Sequence, residues 1–164
     1  MRSFAYQTPA GFFDGVAQHG DCGCGTVLRI DWGIQHHLCL DGGSGSTTKV
    51  KAMALWGLLW ISLHKNIHYL NIYGDSKALI DGIKGTTGFC SPLLIGWLRR
   101  IKHTLDLLLS YTISHVYQEC NTMAHSLSKA GLGRSSSILH YRYLVENKVL
   151  EKCRQTTQHP TTKL

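Results

Sequence analysis

The sequence is short of acid. Ten Asp and Glu side chains stand against seventeen Lys and Arg among 164 residues, for a formal charge of +7. No acidic residue occurs between Asp41 and Asp75, and none between Glu119 and Glu146, so neither stretch can supply a carboxylate to a site. Long apolar runs are missing too. The most apolar one, Ala52 to Ile61, is about half the length needed to cross a bilayer, which marks it as a buried helix and not a membrane span. Met1 to Gly15 lacks the apolar stretch and small-residue cleavage site of a secretion signal. Close cysteine pairs are scarce: of Cys22, Cys24, Cys39, Cys90, Cys120 and Cys153, only the first two are near each other, one residue apart. That is not a zinc-ribbon spacing, and the scatter of the others points to thiols in a reducing compartment. Internal repeats and low-complexity segments are absent.

What is present suits a soluble globular α/β protein: a hydrophobic fraction of 43% and seventeen glycines. A chain of this length holds one domain with a core of its own. The basic excess favours a polyanionic partner. Ten histidines stand ready to add charge on mild acidification.

Hydrophobic patterning divides the chain into elements. Gly11 to Asp14 reads as a short strand running into a turn at Asp14-Gly15, Thr26 to Ile30 as a strand, and Ile34 to Leu40 as its return after a turn at Asp31-Trp32-Gly33. The stretch Gly42 to Ser46 closes this unit. Thr47 or Thr48 can cap a helix to about His64 that is apolar nearly all round, so it must be covered on several sides. Tyr69 to Tyr73 reads as a strand, with Gly74-Asp75-Ser76 opening a short helix through Ile83. Gly85 to Gly88 is a loop, and Ser91-Pro92 starts a helix reaching about Leu108. Tyr111 to Tyr117 is a strand, and Asn121 caps a last helix through Ala130. The order βββαβααβα implies a mixed sheet with helices on both faces and right-handed parallel connections in its second half. Beyond Gly131, Ser135 to Ser137 reads as a hinge, Ile138 to Leu150 has strand-like spacing, and Gln155 to Leu164 reads as loose. Residues 131–164 carry six basic and two acidic side chains, +4 of the total +7.

Five ordered pieces carry a resemblance. They are Pro9-Ala10-Gly11-Phe12-Phe13-Asp14-Gly15; Cys22-Gly23-Cys24-Gly25-Thr26-Val27-Leu28; Thr48-Lys49 with Ala54-Leu55-Trp56-Gly57-Leu58-Leu59; Tyr73-Gly74-Asp75-Ser76-Lys77; and His115 to Glu119 with Asn121, Ala124, Leu127, Ser128 and Lys129. Together they resemble the ribonuclease H-like domain of plant retroelements of the reverse-transcriptase type. The resemblance implies a ribonuclease H-like α/β fold with a five-stranded mixed sheet over residues 9–132. A lead-in of residues 1–8 would precede it, and a basic, partly disordered extension of residues 133–164 would follow. It also implies an activity: hydrolysis of the RNA strand of RNA–DNA hybrids, with two magnesium ions held by an Asp-Glu-Asp-Asp cluster. Two divalent ions so close together need abundant negative charge and hard oxygen ligands.

Carried over residue by residue, Asp14 matches the first acid and Asp75 the third. The other two are replaced. The helix glutamate position falls on Lys51 and the last aspartate position on His125, and the acid-free stretches mean that no shift of register restores either. Lys51 puts a cation in the space of a metal ligand, at a cost on the order of a few kcal/mol per contact at an effective dielectric of about 20. Imidazole suits manganese or zinc better than magnesium, and His125 can also be read as a plain surface histidine of its helix.

Three readings follow. In the first, the domain holds nucleic acid but cuts slowly or not at all, with Mg2+ or Mn2+ weakly bound by Asp14 and Asp75 if bound at all. In the second, it is an active nuclease with an altered metal site, using an unusual metal or a substitute ligand such as Glu119. In the third, it is an interaction module with no nucleic-acid role. Candidate phosphate contacts are Lys77, Lys84, Arg99, Arg100 and Lys102, with Ser76 and Asn121 hydrogen bonding to sugar or phosphate. The partner expected is an RNA–DNA hybrid or other nucleic acid and not a membrane, for a monomer in the nucleus or cytoplasm.

Overall fold

The computed structural model describes residues 8–31, 33–85, 91–133 and 138–156. Its strands are β1 (Ala10–Gln18), β2 (Asp21–Arg29), β3 (Ile34–Gly43), β4 (Tyr69–Gly74), β5 (Ser110–His115), β6 (Ile138–Val145) and β7 (Lys148–Thr156). The helices are α1 (Thr47–His64), α2 (Lys77–Lys84), α3 (Pro92–Leu105) and α4 (Thr122–Gly131), with a 3-10 turn at Gln118–Cys120 before α4. They build the α/β ribonuclease H-like arrangement: one mixed sheet in the order β5-β4-β1-β2-β3-β6-β7. The first three strands are antiparallel, and β4 and β5 add in parallel beside β1.

The sheet has seven strands where five were expected. The two extra strands are β6 and β7, from the segment expected to lie beyond the domain. β6 pairs along β3 from Ile34↔Val145 to Leu40↔Leu139. The hairpin turns on Glu146 and Asn147, both at positive φ, the backbone of a two-residue turn whose twist matches its strands. The hinge expected at Ser135 to Ser137 lies outside the described residues. Gln155 and Thr156, expected to be loose, are paired strand residues, and residues 157–164 again lie outside.

Asp14-Gly15 is not a turn. The ladder between β1 and β2 continues through Asp14↔Gly25 to Gln18↔Asp21, and the reversal falls at His19 and Gly20, both at positive φ. Other boundaries move by a few residues. Ser46, not Thr47 or Thr48, caps α1 by accepting from the Lys49 amide; α3 stops at Leu105, and β5 stops at His115.

The all-round apolarity of α1 is explained by what covers it. One side lies on β1 and β2, burying Val50, Leu55, Leu58 and Leu59, and another lies against α3, where Trp56 and Trp97 meet edge to face. On the opposite face of the sheet, α4 packs on β1, β2 and β3, with Ala124 and Leu127 against Val27 and Cys39. The Cys22, Cys24 and Cys39 thiols are buried and hydrogen bond to backbone carbonyls, and burial pushes the first two up from their ordinary pKa. They are apolar filling, as the scattered spacing suggested; Cys90 and the Cys153 side chain lie outside the description. Among the described residues no helix is long and apolar enough to cross a membrane.

Two of the ten histidines do not gain charge on mild acidification. His36 stacks between Tyr141 and Tyr143 and accepts from the Tyr141 hydroxyl at 2.7 Å. His37 bonds Gln35 at 2.9 Å from the other face of β3. Burial lowers both to about 4, helped by Lys65 beside His36 and by Arg142 and Arg29 near His37. An unfolded imidazole takes up its proton near pH 6.5, so the unfolded state binds more protons as pH falls. Stability present above about pH 6.5 is therefore lost between there and pH 4, by up to about 3 kcal/mol per histidine. Urea unfolding across this range should show the fall, and His37→Leu should make it shallower; a flat profile would contradict neutral burial.

Candidate functional site

The parallel ladder between β1 and β4 ends at Phe13↔Gly74, so Asp14 and Asp75 are the next residues of neighbouring strands. That juxtaposition is the one expected of them. Asp14 is almost fully buried, at 1% exposure. Its Oδ1 accepts from the Gly15 amide at 2.8 Å.

Each face of the sheet delivers one basic side chain to this pair. From the first turns of α1, the Lys51 ammonium donates to Asp75 Oδ1 at 2.8 Å and lies 3.3 Å from Asp14 Oδ1. The close approach depends on Gly15: a Cβ there would sit 2.7 Å from both the Lys51 nitrogen and the Val50 carbonyl carbon. Burial alone would pull the Lys51 pKa down. The hydrogen bond to Asp75 and the charges of Asp14 and Asp75 outweigh it, and the net direction is up. The ammonium is locked in its charged form.

From the other face, α4 brings His125, whose Nδ1–H donates to Asp14 Oδ2 at 2.7 Å. The Gln118 amide stands 3.3 Å from its Nε2. Asn121 sets the start of α4 by donating to the Phe13 carbonyl at 3.0 Å, and does not cap the helix with its side chain. The four central residues thus converge on a cleft of about 200 Å³, which Gly15, Thr47 and Gln118 also line. His125 is not a plain surface histidine. Gln118 is the partner that sequence reasoning missed; it stood inside a quoted motif, but nothing in that motif says where its amide points.

Does this set suit a pair of divalent ions? Only two carboxylates remain. Both oxygens of Asp14 are engaged, Oδ1 by Gly15 and Lys51 and Oδ2 by His125. Oδ1 of Asp75 is held by Lys51. Glu119 lines a neighbouring hollow with Thr122 and Ser126 and does not line this cleft. Among the described residues no group of three or more His, Cys, Asp or Glu is placed to hold a metal. The residues do not fit a two-ion centre.

The candidate phosphate contacts do not line the cleft. Ser76 caps α2 through the Leu79 amide, with Lys77 and Lys84 exposed on that helix. Arg99, Arg100 and Lys102 are exposed on α3, where the Arg100 guanidinium covers the Trp97 ring at 5.0 Å. Asn121, at 1% exposure, is placed to hold β1 to α4.

A family model described as reverse transcriptase-like matches residues 12–131. Among solved structures, a ribonuclease H1 from the halophilic archaeon Halobacterium salinarum superposes with a TM-score of 0.69 at 19% identity, covering 75% of this chain and 96% of that one. The N-terminal ribonuclease H domain of a Mycobacterium tuberculosis protein gives 0.69 at 15%, covering 75% and 91%. A second ribonuclease H1, designated LC11 and solved in complex with an RNA/DNA hybrid, gives 0.69 at 18%, covering 76% and 96%. Identities this low speak for the fold alone. No curated protein matches the sequence.

Gly15→Ala tests how the cleft is built. The new methyl group would meet backbone atoms of α1, which cannot swing aside as a side chain can, so the helix must shift and lengthen the contacts of Lys51. Urea unfolding should register a loss of about 2–3 kcal/mol; an unchanged midpoint would mean that α1 is not held this close to β1.

Proposed function

Since the chain belongs to the reverse transcriptase-like family, whose model covers residues 12–131, we propose that it is a ribonuclease H-like domain that holds RNA–DNA hybrids and does not hydrolyse them in a metal-dependent way. One observation carries the second half: the Lys51 ammonium lies between Asp14 and Asp75, at 3.3 and 2.8 Å. A divalent ion bound there would have to break both contacts and then sit beside the displaced cation. At roughly 4 Å and an effective dielectric of about 20, that repulsion alone is on the order of 8 kcal/mol for a doubly charged ion. The first half is supported by the fold, by the hybrid-bound relative and by the basic excess. Exposed Lys77, Lys84, Arg99, Arg100 and Lys102 are the contacts proposed for phosphate, with Ser76 beside them. Such contacts read backbone shape and charge and not base identity.

A labelled RNA–DNA hybrid tests both halves. Binding should weaken steeply between low and physiological salt, as counterions released from the phosphates demand. Affinity that ignores salt, or no binding even at low salt, would favour an interaction module without a nucleic-acid role. Cleavage of the RNA strand should be absent or very slow in magnesium and in manganese. Efficient cleavage in either ion would sink the reading. Among variants, Lys51→Glu should regain divalent-ion binding ahead of His125→Asp. The double change should regain the most, by more than the sum of the two, because groups that act as a unit are not additive.

A further inference from the structure

We propose that Lys51 is a tethered structural cation: its ammonium does for Asp14 and Asp75 what a bridging divalent ion would do, so the domain is held together at these strand ends without metal. The inference concerns the folded state and holds whether or not the cleft meets nucleic acid.

The parallel register of β1 and β4 forces two carboxylates side by side, with side-chain exposures of 1% and 10%. Like charges this close and this dry oppose each other unless a cation stands between them. The chain provides one on a four-carbon stem rooted in α1, and both acids converge on that single nitrogen through their Oδ1 atoms. Lys51 therefore ties α1 to β1 and β4 at once. His125 completes the clamp from the opposite face of the sheet by taking the remaining oxygen of Asp14. Three elements, β1, α1 and α4, meet at the buried Asp14 carboxylate, and the end of β4 joins them through Lys51. A lysine in this place is a permanent part of the fold, unlike an ion, which is lost to a chelator.

Thermal melting reads this without any substrate. The melting temperature of the unaltered protein should not move with added Mg2+ or Mn2+, nor with a chelator. Lys51→Met keeps most of the stem and removes the charge, leaving the two acids facing each other. It should melt roughly 10 °C lower, and millimolar Mn2+ should raise it again while leaving the unaltered protein where it was. Adding Asp75→Asn to Lys51→Met removes the repulsion and should recover part of the loss in the absence of metal, whereas Lys51→Arg should retain most of the stability. If Lys51→Met does not fold, recovery of its far-ultraviolet ellipticity with Mn2+, or in the double change, is the same result. Stabilisation of the unaltered protein by either ion would overturn the proposal. So would Lys51→Met melting like the parent, or a failure of both Mn2+ and Asp75→Asn to restore it.

Discussion

Two helices lie on opposite faces of this sheet at distances that only bare strands permit. On β1, a Cβ at Gly11 would sit 2.6 Å from Leu58 of α1, and one at Gly15 would meet the backbone of Val50 and Lys51. On β2, a Cβ at Gly23 would meet the Ser128 carbonyl at 2.0 Å, and one at Gly25 the Ala124 carbonyl at 2.2 Å, both on α4. Larger residues there would push the layers apart. With the helices drawn in, short reaches become possible: Lys51 from one face and His125 from the other both touch Asp14. The chemistry of the cleft depends on that close packing.

Within the cleft, the balance between desolvation and attraction decides what the charges do. Burying an ion pair costs several kcal/mol per ion, which attraction offsets only when the geometry is good and spare hydrogen-bonding capacity is used. Asp14 meets that condition, since its oxygens accept from the Gly15 amide and His125 and lie beside Lys51. The sequence alone presents Lys51 as a charge that would oppose a metal ion. It does not show that the ammonium would be the acids' own partner. That depends on a distance of about 3 Å, which charge counting along a chain does not contain.

Much of the fold was legible for a local reason. Strands and helices announce themselves by period, and the adjacency of Asp14 and Asp75 follows once β1 and β4 are taken as parallel neighbours. The failures were local signals overruled by distant partners. Asp14-Gly15 has turn chemistry, yet Gly15 serves the approach of α1 and the strand runs on to Gln18. Residues 138–150 carried strand-like spacing, but the place of β6 in the sheet rests on pairing with β3, some hundred residues earlier in the chain. Periodicity left His125 open between a surface position of its helix and the place beside Asp14 that the resemblance implied, and only the fold shows its contact with a residue 111 positions away. Histidines at 36 and 37 looked titratable because their aromatic and sheet partners are invisible in sequence.

Binding and hydrolysis place different demands on such a scaffold, and this separation makes the proposed reading coherent. Phosphate contacts tolerate variety: any exposed Lys or Arg on α2 or α3 can serve, and each adds a small increment. Metal-dependent hydrolysis tolerates little, because four acids must hold two ions as one unit. On the proposed reading, two of those four positions are changed while the exposed cations of α2 and α3 are kept. In this chain Lys51 and His125 satisfy Asp75 and Asp14. A lone loss of acid would leave buried like charges unbalanced, whereas a basic side chain in its place supplies the balance from within the chain. Lys51 and His125 are therefore consistent with Asp14 and Asp75 as parts of one folded structure, and on the proposed reading that consistency lets the frame persist without the reaction.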